Sequence, residues 1–419
     1  IQTDRLMAHS KGDDDRPKEL VAQFWERDAL SRFQREEPTV YGEYEQAALK
    51  RIDAAVETAL AAPYPELPKA IPTEVGPLAW HRPEYTEKRR LNELLRDCFA
   101  QNMGQNERIV MIGEDICDPY GGAFKVTRGL SSAYPDRVWG TSISEAAIVG
   151  IGNGLSLHGM IPVCEIMFGD FMPLAFDQIL NHAAKFPGMY NHQVQNPLIV
   201  RSPMGGGRGY GPTHSQSLEK HFLGIPHTIV LSVNHRYNPA DLYDTLFREI
   251  EGPALVFENK LLYARHLSSE TEPGFMLEHS DETWPTVRVR PESPPDITLL
   301  CYGGSLACAE KAQALAFDRE EIVSEIICPV RLYPLDIRAV VDSLKQSGLL
   351  LIIEEGYSFA AWGSEVIARL TEYDPSLLRA VRRVSLPEYP IPCSGPLEAQ
   401  ALPNPDKVLN RIKEMFSHE

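Results

Sequence analysis

The chain has 419 residues, 43% hydrophobic and 24% charged, with a formal net charge of −17. That length suggests two or three domains with sizeable cores, and the acidity argues against a nucleic-acid-binding surface. Seven cysteines are scattered without a Cys-x-x-Cys pair and read as reduced thiols of a cytoplasmic protein. No apolar run reaches transmembrane length, no signal peptide is visible, and no membrane partner is expected. The chain opens on Ile1 rather than Met, which suggests a piece of something longer.

Residues 1–18 are polar and read as a loop. Loose apolar periodicity predicts a helix over 19–35. A clearer face of Leu49, Ile52, Val56 and Ala59 predicts another over 41–62. Pro63, Pro65, Pro68, Pro72 and Pro77 then mark a linker over 63–83. A second unit, 84–264, opens with a helix over 86–101. It alternates strands (109–112, 161–165, 197–201, 228–232, 254–257) with helices (174–185, 240–249). Residues 265–285, polar and Pro-bearing, read as a second linker. A last unit, 286–419, has strands at 297–302, 322–327, 349–353 and 379–384, with helices at 307–316, 337–346 and 363–370. The alternation predicts an α/β fold: two doubly wound, mostly parallel-sheet domains behind a helical N-terminal extension.

Ligands of open parallel sheets bind at the carboxyl ends of the strands. Glu114 falls there after the first strand of the second unit. Glu145 follows, in Ser-Ile-Ser-Glu-Ala-Ala-Ile-Val-Gly at 142–150. Its carboxylate stands where the chain turns into a helix of small and apolar residues. A lone Ser-x-x-Glu is most often a capping box. The glycines at 150, 152 and 154 predict close approach by backbone or cofactor. Glu165 to Phe171 follows the next strand, with Met167 and Phe168. The loop Met204 to Gly211 leads into His214-Ser215-Gln216-Ser217. Each has a bland reading alone, but their placement at successive strand ends favours a site.

Several strings together resemble the β subunit of the thiamine-diphosphate-dependent 2-oxo-acid dehydrogenase decarboxylase components. They are Gly113-Glu114-Asp115, the run 120–127, Ile143-Ser144-Glu145, Glu165 to Phe171, Asp177-Gln178, 181–185 and His214 to Ser217. Residues 286–419 resemble that subunit's transketolase-like C-terminal domain through Tyr333-Pro334-Leu335-Asp336 and Ile353-Glu354-Glu355-Gly356. Residues 1–62 resemble the tail of the family's α subunit, with His9-Ser10 and Gly12-Asp13-Asp14 like the loop beside the cofactor diphosphate. The resemblance thus implies an α–β fusion whose front part holds diphosphate and Mg2+. No Gly-Asp-Gly occurs here, so no metal ligand is expected in this chain.

The resemblance implies that Glu145 bonds the aminopyrimidine ring of thiamine diphosphate and that Phe171 stacks on it. Glu114 becomes a second acid near the ring. His214 becomes the active-site histidine, His9 a residue reaching the same cleft, and Met167 and Phe168 walls of the substrate pocket. The implied activity is decarboxylation of a 2-oxo acid with acyl transfer to a lipoyl group. A carboligase without a lipoyl partner and a non-catalytic subunit are the alternatives. Implied partners are an α-type domain, a homodimer or α2β2-like assembly, and a lipoyl acyltransferase. The family often carries K+ near a turn like Glu251-Gly252-Pro253, but its usual side chains are not evident. The segment Gly140-Thr141-Ser142-Ile143-Ser144-Glu145 also departs from the usual Asp-Thr-Pro-Ile-Ser-Glu.

Overall fold

A computed structural model describes residues 4–8, 14–64, 66 and 76–417. The chain divides into two compact units, Ile1–Ala70 and Ile71–Glu419. The first holds α1 (Lys18–Arg27), α2 (Ala29–Glu36) and α3 (Pro38–Ala61). The single helix expected over 19–35 breaks at Asp28, whose carboxylate caps α2 by accepting from the Ser31 N–H at 2.8 Å. Pro38 opens α3, where a missing N–H costs nothing. Phe33 of α2 packs edge-on against Tyr41 of α3, ring centroids 5.9 Å apart.

In the second unit, β1 (Trp80–His81) precedes α4 (Leu91–Gln105), β2 (Ile109–Gly113), α5 (Leu130–Ala133), β3 (Val138–Gly140), α6 (Glu145–Leu157) and β4 (Ile161–Glu165). Then come α7 (Phe186–Met189), β5 (Ile199–Met204), β6 (Ile229–Val233), α8 (Pro239–Glu249) and β7 (Ala254–Asn259). The helix expected from 86 starts at Leu91, because Glu93 folds back to accept the Arg90 N–H at 3.1 Å. The helix expected over 174–185 is instead a 3-10 turn, Gly169–Ala175, and a π segment, Gln178–Ala183. Pro173 lies inside that turn and cannot donate to an α ladder.

The chain continues through β8 (Phe275–Ser280), β9 (Thr286–Pro291), β10 (Ile297–Cys301), α9 (Leu306–Glu320), β11 (Ser324–Pro329) and β12 (Arg331–Tyr333). It ends with α10 (Arg338–Ser347), β13 (Leu349–Tyr357), α11 (Trp362–Tyr373), β14 (Ala380–Leu386), α12 (Gly395–Ala401) and α13 (Pro405–Phe416). One sheet has the order β12-β6-β7-β5-β4-β2-β3, parallel except at β12. The other runs β1-β8-β9-β11-β10-β13-β14 and is mixed, parallel only from β11 to β14. Its antiparallel part includes β8, inside the stretch 265–285 expected as a linker. There Arg288 of β9 pairs with Glu278 of β8 at 2.5 Å.

Strands β2, β4, β5 and β7 are buried along their whole length, as inner strands of a sheet covered on both faces must be. One face packs α4 and α8 through Phe99, Met103, Leu242 and Leu246. The other face packs α6 and continues into the second sheet through Leu300, Ile327 and Ile352, so the two sheets share one apolar core. Strand β12 reinforces the join. Although it lies late in the chain, it pairs with β6 of the first sheet, Arg331 opposite Leu231.

Candidate active site

Because β2 to β5 and β7 run parallel, their carboxyl ends share one edge. Glu114 directly follows β2, and Glu145 opens α6 just past β3. Phe168 precedes and Phe171 sits on the 3-10 turn after β4. His214 lies beyond the glycine loop after β5.

Glu145 is 7% exposed. The partial positive charge of the helix N-terminus favours its carboxylate. No capping bond forms from Ser144, the residue before the helix, and Glu145 has no hydrogen bond or ion pair with any described residue. Its oxygens are not among the enclosed polar atoms that lack a partner, so solvent reaches the carboxylate and it is free to bond a further group. Glu114 lies within its electrostatic reach. Partial burial, with the charges of Asp115 and Glu145, raises the Glu114 carboxyl above its ordinary range.

The close approach expected at the glycines of α6 is made within the chain, by neighbouring side chains, at two of them. A side chain at position 152 would collide with Cys164 of β4, and one at 150 would press on Gln178 at 3.2 Å. Gly152 lets the helix lie close on the sheet, and Gly150 makes room for the π segment, while position 154 has open space around it. Through Ile148 and Val149, α6 shares a core with Met172 and with Phe171 on the neighbouring turn.

His214 stands edge-on to two aromatics. Its ring centroid is 4.8 Å from that of Phe168 and 5.3 Å from that of Phe171, with planes near perpendicular (83° and 85°). Its Nδ1 lies 2.9 Å from the Thr213 hydroxyl. The loop before it turns through positive φ at Gly205 and Gly207 (+92° and +86°), a region that disfavours side chains. Gln216 donates to Asp170 at 3.0 Å, tying the histidine loop to the Phe171 turn. The second Asp170 oxygen has no partner among the described residues. Met167 is partly buried beside this cluster in sequence. His9 lies outside the described residues.

The structure therefore brings His214, Phe168 and Phe171 into ring contact and Glu114 and Glu145 into charge contact. Among the described residues no hydrogen bond joins the two groups. Sequence reasoning missed Lys260, the residue after β7. It is fully buried, and its ammonium donates to the His214 carbonyl and faces the rings of Phe168 and Tyr210 at 5.3 and 5.5 Å. Burial holds its pKa down to about 8. The signal available was a polar run, Glu258-Asn259-Lys260, ending an apolar strand. Also missed was the buried cation beneath the edge. Arg201 of β5, 1% exposed, pairs with Glu165 and, at 2.6 Å, with Glu258. Tyr243 and Tyr263 donate to the Glu258 carboxylate.

Residues 87–265 match the transketolase pyrimidine-binding domain, and residues 286–408 match the transketolase C-terminal domain. The pyruvate dehydrogenase E1 component subunit beta of Rhizobium meliloti (strain 1021) is 32% identical over 328 residues. That alignment spans 77% of this chain and 69% of the relative. The acetoin:2,6-dichlorophenolindophenol oxidoreductase subunit beta of Bacillus subtilis (strain 168) is 31% identical, covering 78% of this chain and 96% of its own. The 2-oxoisovalerate dehydrogenase subunit beta of the same organism is 31% identical, covering 76% and 95%. Among solved structures, a split-gene transketolase from an inactive β4 tetramer superposes with a TM-score of 0.59 at 18% identity. It covers 78% of this chain and 98% of its own, a likeness of fold.

Proposed function

The chain belongs to the family of 2-oxo-acid dehydrogenase E1 β subunits, and from that premise we propose that it supplies the pyrimidine-binding half of a thiamine-diphosphate enzyme. The substrate class is a 2-oxo acid, decarboxylated with transfer of the acyl group to a lipoyl carrier. The observation that carries the reading is Glu145, a mostly covered acid at the strand-end edge whose carboxylate bonds no described residue and stays open to a ligand. That orphaned acid fits a heterocycle whose ring nitrogen accepts or shares a proton. When bound, the cofactor supplies the carbanion centre and the electron sink.

The residues of this chain do the rest. Glu145 would hold the pyrimidine ring nitrogen through a hydrogen bond from its carboxyl group at the start of α6. Phe171, half-buried and braced by His214, offers a face for the ring. Glu114 binds its own proton more tightly than a free carboxyl, chiefly through partial burial and then through the charges of Asp115 and Glu145. His214 orients the substrate carboxylate, and Phe168 and Met167 bound the pocket for its side chain. An α-type domain or subunit carries the diphosphate and Mg2+ in an α2β2-like assembly, and residues 1–62 are the tail of such an α part. In keeping with that, α3 exposes Leu49, Ile52, Val56 and Leu60, an apolar stripe fit for a partner.

The test uses the chain in its native assembly. Wild type should release CO2 from a 2-oxo acid and acylate lipoamide, and Glu145→Gln should abolish this while thiamine diphosphate still binds, by fluorescence titration. Product with an aldehyde but not with lipoamide would shift the assignment to carboligation. Unchanged turnover in Glu145→Gln would remove Glu145 from the chemistry and with it this reading.

A further inference from the structure

Between the two sheets of the second unit lies a polar cavity of about 20 Å3, lined by Ser217, Glu219, Ser232, Tyr302, Ser305 and Glu355 among others. That volume holds one water or one ion. Three polar groups on its wall lack partners. Glu219 is 2% exposed; one oxygen accepts from the Tyr302 hydroxyl and the other has no partner among the described residues. The hydroxyls of Ser232 and Ser305, 5% and 6% exposed, likewise bond no described residue. Glu355 is already engaged, by the Gly206 N–H at 2.5 Å, the Ser217 hydroxyl at 3.3 Å and Asn259 at 3.0 Å.

Three carboxyl groups stand close together here. Glu354, fully buried, and Glu355 both lie within electrostatic reach of Glu219. Two lysines face the cluster: Lys220 acts on Glu219 and the buried Lys260 on Glu355. Burial is the main cause raising the carboxyl pKa of all three acids, and it outweighs the opposing pull of Lys220 on Glu219, of Arg383 on Glu354 and of Lys260 on Glu355.

We propose that this cavity is a monovalent metal-cation site, with the free Glu219 oxygen as its charged ligand and the Ser232 and Ser305 hydroxyls as neutral ones. Oxygen ligands suit a hard ion. Calcium would take more carboxylate oxygens than are free, and magnesium would need waters that the volume cannot hold. Consistently, no group of three His, Cys, Asp or Glu among the described residues is arranged to hold a metal. Potassium or sodium remains. Asn259, Gly304, Ser305 and Glu355 also line an adjoining cavity of about 290 Å3, which offers an access route. The ion would fasten the loop after His214 and the strand β6 to the turn that opens the second sheet's α9.

The proposal does not depend on thiamine chemistry, and its failure leaves the proposed function standing. Crystals of the native assembly soaked in rubidium or thallous salt should show an anomalous peak beside Glu219. In solution, the thermal midpoint at matched ionic strength should be higher by several degrees in potassium or sodium chloride than in choline chloride. Glu219→Gln should lose that salt preference. The proposal is overturned by an empty anomalous map together with equal midpoints in the three salts. It is also overturned if Glu219→Gln raises the midpoint equally in all three, the mark of a protonated carboxyl beside a water.

Discussion

The Lys260 ammonium donates to the main-chain carbonyl of His214, tying the end of β7 to the loop that follows β5. A cation fully enclosed by protein, with two aromatic faces around it, is a latch on the segment that carries the histidine. Its pKa of about 8, against an ordinary 10.5, fixes the sign of a pH effect. Between those values the unfolded chain holds a proton that the folded chain has released. Stability therefore rises with pH across that window and carries the full penalty below about 8. The difference amounts to about 3 kcal/mol. Urea unfolding from pH 7 to 10 should show this rise in wild type and not in Lys260→Met. Parallel pH profiles for the two proteins would refute it. Without the latch, turnover at pH 7 should fall by about tenfold, the scale of one lost charge-assisted bond.

Glu354 gives the opposite sign. Burial lifts its carboxyl to about 7, although the Gly363 N–H and the Ser385 hydroxyl bond it. The folded chain thus holds a proton that the unfolded chain has lost between about 4.5 and 7. Its favourable contribution is complete below 4.5 and is lost as pH rises through 7. Glu354→Gln keeps the shape and removes the ionisation. At pH 8 the variant should be the more stable by about 2–3 kcal/mol, and near pH 4.5 the gap should close. The measurement belongs in buffers free of alkali-metal ions, since a cation beside Glu219 would lower the cost of charge there.

Arg201 tests what lies beneath the site. It is 1% exposed and neutralises Glu165 and Glu258, which are buried with it. Arg201→Met strands two carboxylates in a place without water. The expected loss is about 3–5 kcal/mol, read as a lower urea midpoint. Replacing Glu165 and Glu258 by Gln alongside Arg201→Met should restore much of it. If the triple variant is no better than the single, the loss comes from packing and not from stranded charge.

The four inner strands are legible in the sequence because a strand covered on both faces reads as a short apolar run. Strands β8 and β9 are not. Glu278 and His279 of β8 look like linker polarity, and Arg288 and Arg290 break up the apolar pattern of β9, until the ladder pairs the two strands. The break at Asp28 was hidden because its capping bond competes with a helical pattern that runs through it. At the site, Glu145 is legible from its motif, but its lack of a partner is a property of the packed chain. Lys260 is invisible for the same reason: a lysine after a strand usually points to solvent, and only the closure of the glycine loop over β7 buries it.

His214 is where the proposed chemistry and the observed packing can be separated. The ring is wedged between Phe168 and Phe171, with one nitrogen beside the Thr213 hydroxyl. A histidine that only fills space would be replaced by leucine at little cost to turnover. One that binds substrate or moves a proton would not, since such groups contribute about 10²–10⁴-fold. His214→Leu, assayed with straight and branched 2-oxo acids in the native assembly, should lose at least 10²-fold in kcat. Its thermal midpoint should stay near that of wild type, because the loop remains held by Lys260 and Asp170. Phe168→Leu serves as the contrast: it should change KM among the substrates and leave kcat for the smallest nearly intact, as a pocket wall does. Equal kcat in wild type and His214→Leu would make the histidine a spacer and take the role of binding the substrate carboxylate away from it.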